Sequence, residues 1–250
     1  HMSPAQPDRS RQHRLLLDMH IPDWDSRFLA RYDPARVVAT QLAAGAGSVM
    51  VYCQSHLGLC YWPTVVGKRH PAMAGRDWLG ESLAALRQAG AQAFGYYSVI
   101  FNNQAYAAHA DWRITPTPPA PAWVSQGERY GQVCLNNRDY RAFVHAELSE
   151  LFARYRFDGF FFDMTFWRGV CQCPACLQRL RDEGLSLPAR MDWGDAAWCR
   201  LQAARERWLV EFAQFLNQLA RQHGVPLVYH NSAVALFNWH FGVGADMAAQ

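Results

Sequence analysis

Connections between the predicted elements of this chain differ in length according to their direction. Those running from a helix to the next strand are very short, such as Gly45-Ala46-Gly47 and Gly90. Those running from a strand to the next helix are long: Ser55 to Arg76, Phe101 to Arg138 and Thr165 to Asp195. Alternating strands and helices imply parallel strands joined by right-handed crossovers. Long connections gathered at the C-terminal ends of the strands are the pattern of a (β/α)8 TIM barrel, which keeps its chemistry at that end. A doubly wound open sheet competes with it. No G-x-G-x-x-G follows the first strand, so a dinucleotide or other organic cofactor is not expected.

The elements follow from local signals. Strand one is read at Arg14 to His20, strand two at Ser48 to Gln54, strand three at Ala91 to Ile100, strand four at Phe157 to Met164 and strand five at Val225 to His230. Helices are expected from Pro34 to Ala44, with Asp33 as N-cap and Pro34 at the first helical position, and from Asp77 to Ala89, closed by Gly90. Two more are expected from Asp139 to Tyr155 and from Ala196 to His223, the latter ended by Gly224. Thr115 to Pro121 is a proline-rich extended stretch.

Counting gives about five strand–helix units, with Phe241 to Gln250 beginning a sixth, against the eight of a complete barrel. Residues 14–250 are therefore read as a barrel domain that lacks its C-terminal part, after a tag remnant and flexible N-terminus at 1–13. Its two edge strands are expected to be met by further chain or by a second copy in a homo-oligomer.

Composition narrows the function. The 250 residues, half of them hydrophobic, are enough for one domain with its own core. A net charge of +3 is too small for a nucleic-acid surface. No segment has the apolar length of a membrane helix and Ser3 to His13 lacks a signal-peptide core, so a cytoplasmic protein without membrane partners is expected. Seven cysteines, an odd number, suit reduced thiols plus a metal site better than a disulfide framework.

The chemistry concentrates between Arg156 and Leu180. The apolar run Phe157 to Phe162, broken only by Asp158-Gly159, delivers Asp163 at its C-terminal end. Alternation places Asp163 on the side of Phe161 and Gly159. A carboxylate at a strand end in the barrel mouth suits a nucleophile or proton donor for sugar cleavage; a helix N-cap or loop ion pair is the structural alternative. Asp158 is expected to make the turn into the strand with Gly159. Next come Cys171, Cys173 and Cys176 in a C-x-C-x-x-C array, with Cys134 offered as a fourth ligand from the loop after strand three. Four thiolates suit a structural zinc, with buried free thiols as the alternative. Cys53, Cys60 and Cys199 read as incidental thiols. Polar residues at other strand ends, namely Asp18, His20, His56, Tyr97, His230 and Asn231, are candidates to bind substrate hydroxyls.

The stretch Ser55-His56-Leu57-Gly58-Leu59-Cys60-Tyr61-Trp62 resembles the His-His-acid-Gly-Phe-x-x-Trp motif after strand two of alpha-L-fucosidase barrels. Gly95-Tyr96-Tyr97-Ser98 is similar to their strand three, and Phe161-Phe162-Asp163 to the strand carrying their nucleophile. The wider order of His56, Pro63-Thr64, His70-Pro71, Tyr97-Ser98, Asp111-Trp112, Asp158-Gly159, Asp163 and C-x-C-x-x-C is similar to hypothetical glycoside-hydrolase-like barrels related to those fucosidases. That resemblance implies a retaining glycosidase with Asp163 as nucleophile. The four cysteines resemble the zinc site of a beta-galactosidase family, in which a Glu near the position of Asp163 is the general acid. Ser55 and Leu57 depart from the fucosidase motif at positions that help bind the sugar, and Asn102-Asn103 departs after strand three.

The expected activity is thus a retaining, exo-acting glycoside hydrolase on an oligosaccharide or glycoside, with its second carboxylate on a later strand. A non-catalytic carbohydrate-binding barrel and a metal-dependent hydrolase, the latter on the weak likeness of Asp18-Met19-His20 to H-x-H, are the competing readings.

Overall fold

A computed structural model of the chain describes residues 13–117, 130–167, 169–190 and 192–231. The expected sixth unit at Phe241 to Gln250, the N-terminal residues 1–12 and the end of the Thr115–Pro121 stretch lie outside them.

Side-chain caps start the main helices. Asp33 accepts from Arg36 N ahead of α1 (Pro34–Ala43), Asp77 from Gly80 N ahead of α2 (Trp78–Gln88), Asn137 from Tyr140 N ahead of α4 (Arg138–Arg154) and Asp195 from Ala197 N ahead of α6 (Ala196–Gln222). Each satisfies a backbone donor that the first turn leaves unpaired. Gly90 follows α2 at φ +65°, a backbone region costly for any residue with a Cβ, so the chain reverses into the next strand within one or two residues.

The strands are β1 (Arg14–Leu16), β2 (Ser48–Gln54), β3 (Leu59–Cys60), β4 (Lys68–Arg69), β5 (Gln92–Ser98), β6 (Gly159–Asp163) and β7 (Val228–His230). Five of them run parallel in the order β1-β2-β5-β6-β7, in line with the five predicted units. The expectation of a wholly parallel sheet needs correction. The short β3 turns back antiparallel to the end of β2 and carries β4 beside it. Two short helices were also unforeseen: α3 (Asn103–Ala108), capped by Asn102, and α5 (Pro174–Asp182), with Pro174 in its first turn. Strand one is shorter than read, and Asp18 to His20 run on as irregular chain.

The sheet curls. A flat sheet would put β1 and β7 about 19 Å apart, four spacings of ~4.8 Å. Yet the Arg14 guanidinium on β1 lies 3.3 Å from the ring centre of Phe94 on β5 and 5.3 Å from that of Tyr229 on β7. This is a partial barrel, an α/β arc whose ends among the described residues are β1 and β7. Its concave face carries Tyr52, Tyr96 and Phe161 with Met19, Tyr61 and Trp78. The convex face carries Val49, Val51, Phe160 and Phe162 under the helices.

One buried acid lies on the convex side. Glu147 of α4 is fully buried and accepts from the Tyr97 hydroxyl and, at 3.1 Å, from Cys60 Sγ. Burial is the main cause that pushes its carboxyl up to about 7, against the opposing pull of the Tyr97 and Cys60 hydrogen bonds. The folded chain therefore holds this proton where the unfolded chain has released it. The resulting stability is full below the unfolded value near 4.5 and is lost as pH rises through about 7. Glu147→Gln should abolish that slope. In urea unfolding, the wild type should lose on the order of 2–3 kcal/mol relative to the variant between pH 5 and pH 8. Parallel stabilities at the two pH values would mean that Glu147 is already ionised in the folded chain.

Candidate active site

Asp163 ends β6, in register with Ser98 of β5, and is 6% exposed. Both carboxylate oxygens are engaged. Oδ2 accepts from the Tyr96 hydroxyl, and Oδ1 accepts from Asn231 Nδ2 at 2.6 Å and from Met164 N at 2.9 Å. The last bond needs Met164 at φ +60°, the left-handed region, so the chain accepts local backbone strain to return its own N–H to the carboxylate. Burial first, and then the charge of Asp163, push the Tyr96 hydroxyl far above its ordinary range, so it remains a donor.

Two stacked imidazoles border this carboxylate. His20 and His56 lie with ring centres 3.7 Å apart and planes 19° apart. His56 Nε2 is 3.7 Å from Asp163 Oδ2. Its Nδ1 is 2.7 Å from Ser98 Oγ, and that hydroxyl donates to Phe101 O at 2.8 Å. Ser98 has one hydrogen, so His56 Nδ1 must be the donor in the shared bond. His20 Nδ1 accepts from His56 N at 3.0 Å, which places the proton of a neutral His20 on Nε2, 3.3 Å from both the Tyr52 and Tyr96 hydroxyls. A hydrogen-bonded line thus runs from His20 through Tyr96 to Asp163. His20, His56 and Asp163 each bring one potential ligand atom to within 4.8 Å of the others.

The loop carrying His56 is held by close packing. Gly58 has φ +72°, and a Cβ there would meet Asn102 Oδ1 at 2.0 Å. Asn102 spends that oxygen capping α3, accepting from Ala105 N, and Asn103 accepts from Gly131 N, both at 2.8 Å. These two asparagines pin the start of the long loop after β5, so that Tyr130 stands 6.1 Å from His56 and 5.3 Å from Phe101 between ring centres.

The structure gathers His20, His56, Asp163 and Asn231, but not the other three expected hydroxyl binders. Tyr97 lies on the opposite face of β5, fully buried with its hydroxyl on Glu147; its neighbour Tyr96 occupies the concave face. His230 also turns to the helix side. Its Nε2 is 2.8 Å from Asn217 Oδ1 and its Nδ1 3.1 Å from Thr165 Oγ1, it stacks on Phe162, and burial lowers its pKa to about 4. Asp18 is solvent-exposed, and its carboxylate accepts from His20 N. Asp158, as expected, serves the strand start, accepting from Ala93 N at 2.8 Å. Tyr96 and Ser98 entered the sequence reading only through the strand-three resemblance, without a place in the site, and Tyr52 only as part of strand two. The only available signal was strand parity combined with the register of β5 on β6.

Cys134, Cys171, Cys173 and Cys176 are all buried, with sulfurs within 4.8 Å of one another. Cys134 Sγ and Cys176 Sγ are 3.4 Å apart. A tetrahedral zinc with four bonds of ~2.3 Å sets its sulfurs about 3.8 Å apart, so the four fit such an ion. The sulfurs also accept N–H donors, each at 3.4 Å: Thr115 N and Cys173 N on Cys171, and Asn136 Nδ2 on Cys176. Such bonds suit thiolates. The cluster ties the loop after β5 to the loop after β6 and to the first turn of α5. Cys53 and Cys60 are buried elsewhere and Cys199 is exposed. No helix among the described residues is long and apolar enough to cross a membrane.

Comparison with known proteins bears on this geometry. The sequence profile of a family described as Hypothetical glycosyl hydrolase 6 matches residues 33–164, more than half of the chain. No curated protein matches it. Among solved structures, the alpha-L-fucosidase isoenzyme 2 of Paenibacillus thiaminolyticus is similar, with a TM-score of 0.74 and 23% identity over 89% of this chain and 32% of that one. The glycoside hydrolase domain of PgaB (BpsB) from Bordetella bronchiseptica gives a TM-score of 0.65 at 14% identity, covering 92% of this chain and 67% of that one. A hypothetical protein of Ruminiclostridium thermocellum gives 0.50 at 10% identity, over 83% and 92%. The chain thus spans about a third of the fucosidase's length.

Proposed function

We propose, from the premise that this chain belongs to the hypothetical glycosyl hydrolase 6 family, that it carries the nucleophile half of a retaining, exo-acting glycoside hydrolase active site. The observation that carries this reading is the Asp163 carboxylate, set at a strand end with both oxygens oriented by Tyr96, Asn231 and Met164 N. In this reading Asp163 attacks the anomeric carbon and forms a glycosyl ester. A second carboxylate, about 5–5.5 Å away, protonates the leaving oxygen and later activates water. His20, His56 and Asn231 bind sugar hydroxyls. Tyr96, rather than Tyr97, orients the nucleophile. The substrate is a terminal alpha-L-fucoside or a galactoside, on the motif after β2 and the fold shared with a fucosidase. The four cysteines hold a structural zinc, because four thiolates leave no coordination position open for chemistry.

The test is a panel of aryl glycosides offered to the full-length protein, with the anomer released first read by proton NMR. Release of a terminal sugar with retained configuration is expected. An inverted product removes the retaining mechanism, and silence across the panel removes the hydrolase reading.

A second reading is favoured by the mutual approach of His20, His56 and Asp163 within 4.8 Å: a divalent ion held there would activate water for a metal-dependent hydrolysis. Activity that disappears with a chelator and returns with added metal, while the cysteine site stays loaded, would select it.

A further inference from the structure

Arg205 lies in α6 beside the four-cysteine cluster and is 3% exposed. Its guanidinium donates from Nη1 to Gln202 Oε1 at 2.6 Å and from Nη2 to Gly169 O at 2.7 Å. Neither acceptor is charged. Among the described residues no carboxylate reaches ion-pair distance of it, although Arg179 and Arg207 nearby are paired with Glu183 and Glu211. Arg205 shares one small cavity with Cys171 and Cys176, walled by Trp167 and Trp208. Burial pushes the guanidinium down to about 10, against the opposing pull of the Cys176 and Cys171 sulfurs and of Glu206.

A buried cation without a counter-charge is strongly unfavourable. Four neutral thiols would leave Arg205 in that state. Four thiolates around a divalent ion carry a net charge of about −2 and would not. We propose that Arg205 is the built-in counter-cation of the tetrathiolate centre, matched to its loaded, anionic form. This rests on the metal reading above. It follows that Arg205 stabilises the loaded protein and burdens the stripped one, so the charge state of the cluster and the stability of α6 are coupled.

The experiment uses the full-length protein with zinc bound and after stripping by a chelator. Arg205→Met keeps the length and apolar packing but removes the charge. Arg205→Gln keeps a donor for Gly169 O without charge, and Arg205→Lys keeps the charge. Zinc transfer to a chromogenic chelator should be about 10–100-fold faster in the Met and Gln variants and near wild type in the Lys variant. The Met variant should melt lower than wild type when loaded, and no lower than wild type when stripped. Equal melting losses in both forms, or rescue by Gln as complete as by Lys, would reduce Arg205 to a hydrogen-bonding role and overturn the proposal. Unchanged zinc release in a loaded Met variant would overturn this proposal alone. A wild type that takes up no zinc on reconstitution would overturn the metal reading as well.

Discussion

Replacing Asp163 by Asn should leave a folded protein whose turnover has fallen by several orders of magnitude. A neutral amide cannot form the glycosyl ester, so the covalent route closes. The fold should survive, because the change is isosteric and the site tolerates an amide. The amide keeps its oxygen at the Oδ1 position, where Met164 N and Asn231 Nδ2 donate, and its NH2 takes the Oδ2 position, where the Tyr96 hydroxyl can turn to accept. The stability cost should be that of one imperfect buried hydrogen bond, on the order of 1–2 kcal/mol. Substrate binding should persist, since the hydroxyl-binding role is assigned to His20, His56 and Asn231. Azide supplied to the variant, or to Asp163→Gly where there is more room, should restore part of the rate and yield a glycosyl azide of inverted configuration. An azide product of retained configuration would instead make Asp163 the general acid. Near-normal turnover in Asp163→Asn would remove this residue from the reaction.

The second large effect is on stability and concerns Cys173. Purified protein should contain about one zinc per chain, and Cys173→Ser should lose it. Three sulfurs that remain after the change would then be neutral thiols packed within van der Waals distance, with the loops after β5 and β6 no longer tied. A loss of about 3 kcal/mol or more is expected, a melting shift of roughly 6–12 °C for a chain of this size. Activity should follow the loss of folded protein, with KM more affected than kcat. The reason is that Gly131 and Gln132 lead from Tyr130, beside His56, to Val133 and Cys134. A metal-free wild type would defeat the prediction. A fall in kcat matching that of Asp163→Asn would give the cluster a part in the chemistry that four closed thiolates do not allow.

Much of the scaffold was legible from local chemistry. Asp33 was legible as an N-cap, and Gly90 and Gly224 as helix ends, because backbone hydrogen bonding sets those limits locally; Asp77, read as the first helical residue, and Asp195, read as loop, cap their helices in the same way. The place of Asp163 at the C-terminal end of β6 was legible because the apolar run that it closes reads as a buried strand. The cysteine set was legible because thiol spacing is sparse and chemically specific. The second sheet direction was not: β3 and β4 are two residues each and hold their place by pairing with β2 and each other, not by propensity.

The choice between adjacent residues was settled only by the tertiary structure. Alternation says that Tyr96 and Tyr97 face opposite sides of β5, and that His230 and Asn231 diverge at the end of β7. Which member of each pair faces the concave side with Asp163 depends on the register with β6, where Tyr96 pairs with Phe161 and Phe162 with His230. Register is set by the packing of whole strands and is absent from any one of them. Arg205 follows the same rule. Its helix was read from sequence, but its burial against Cys171 and Cys176 exists only once α6 is laid over the loop that carries them. The sequence by itself determined which elements form and which residues have chemistry to offer; the curl of the sheet and the docking of the helices decided which of those residues meet.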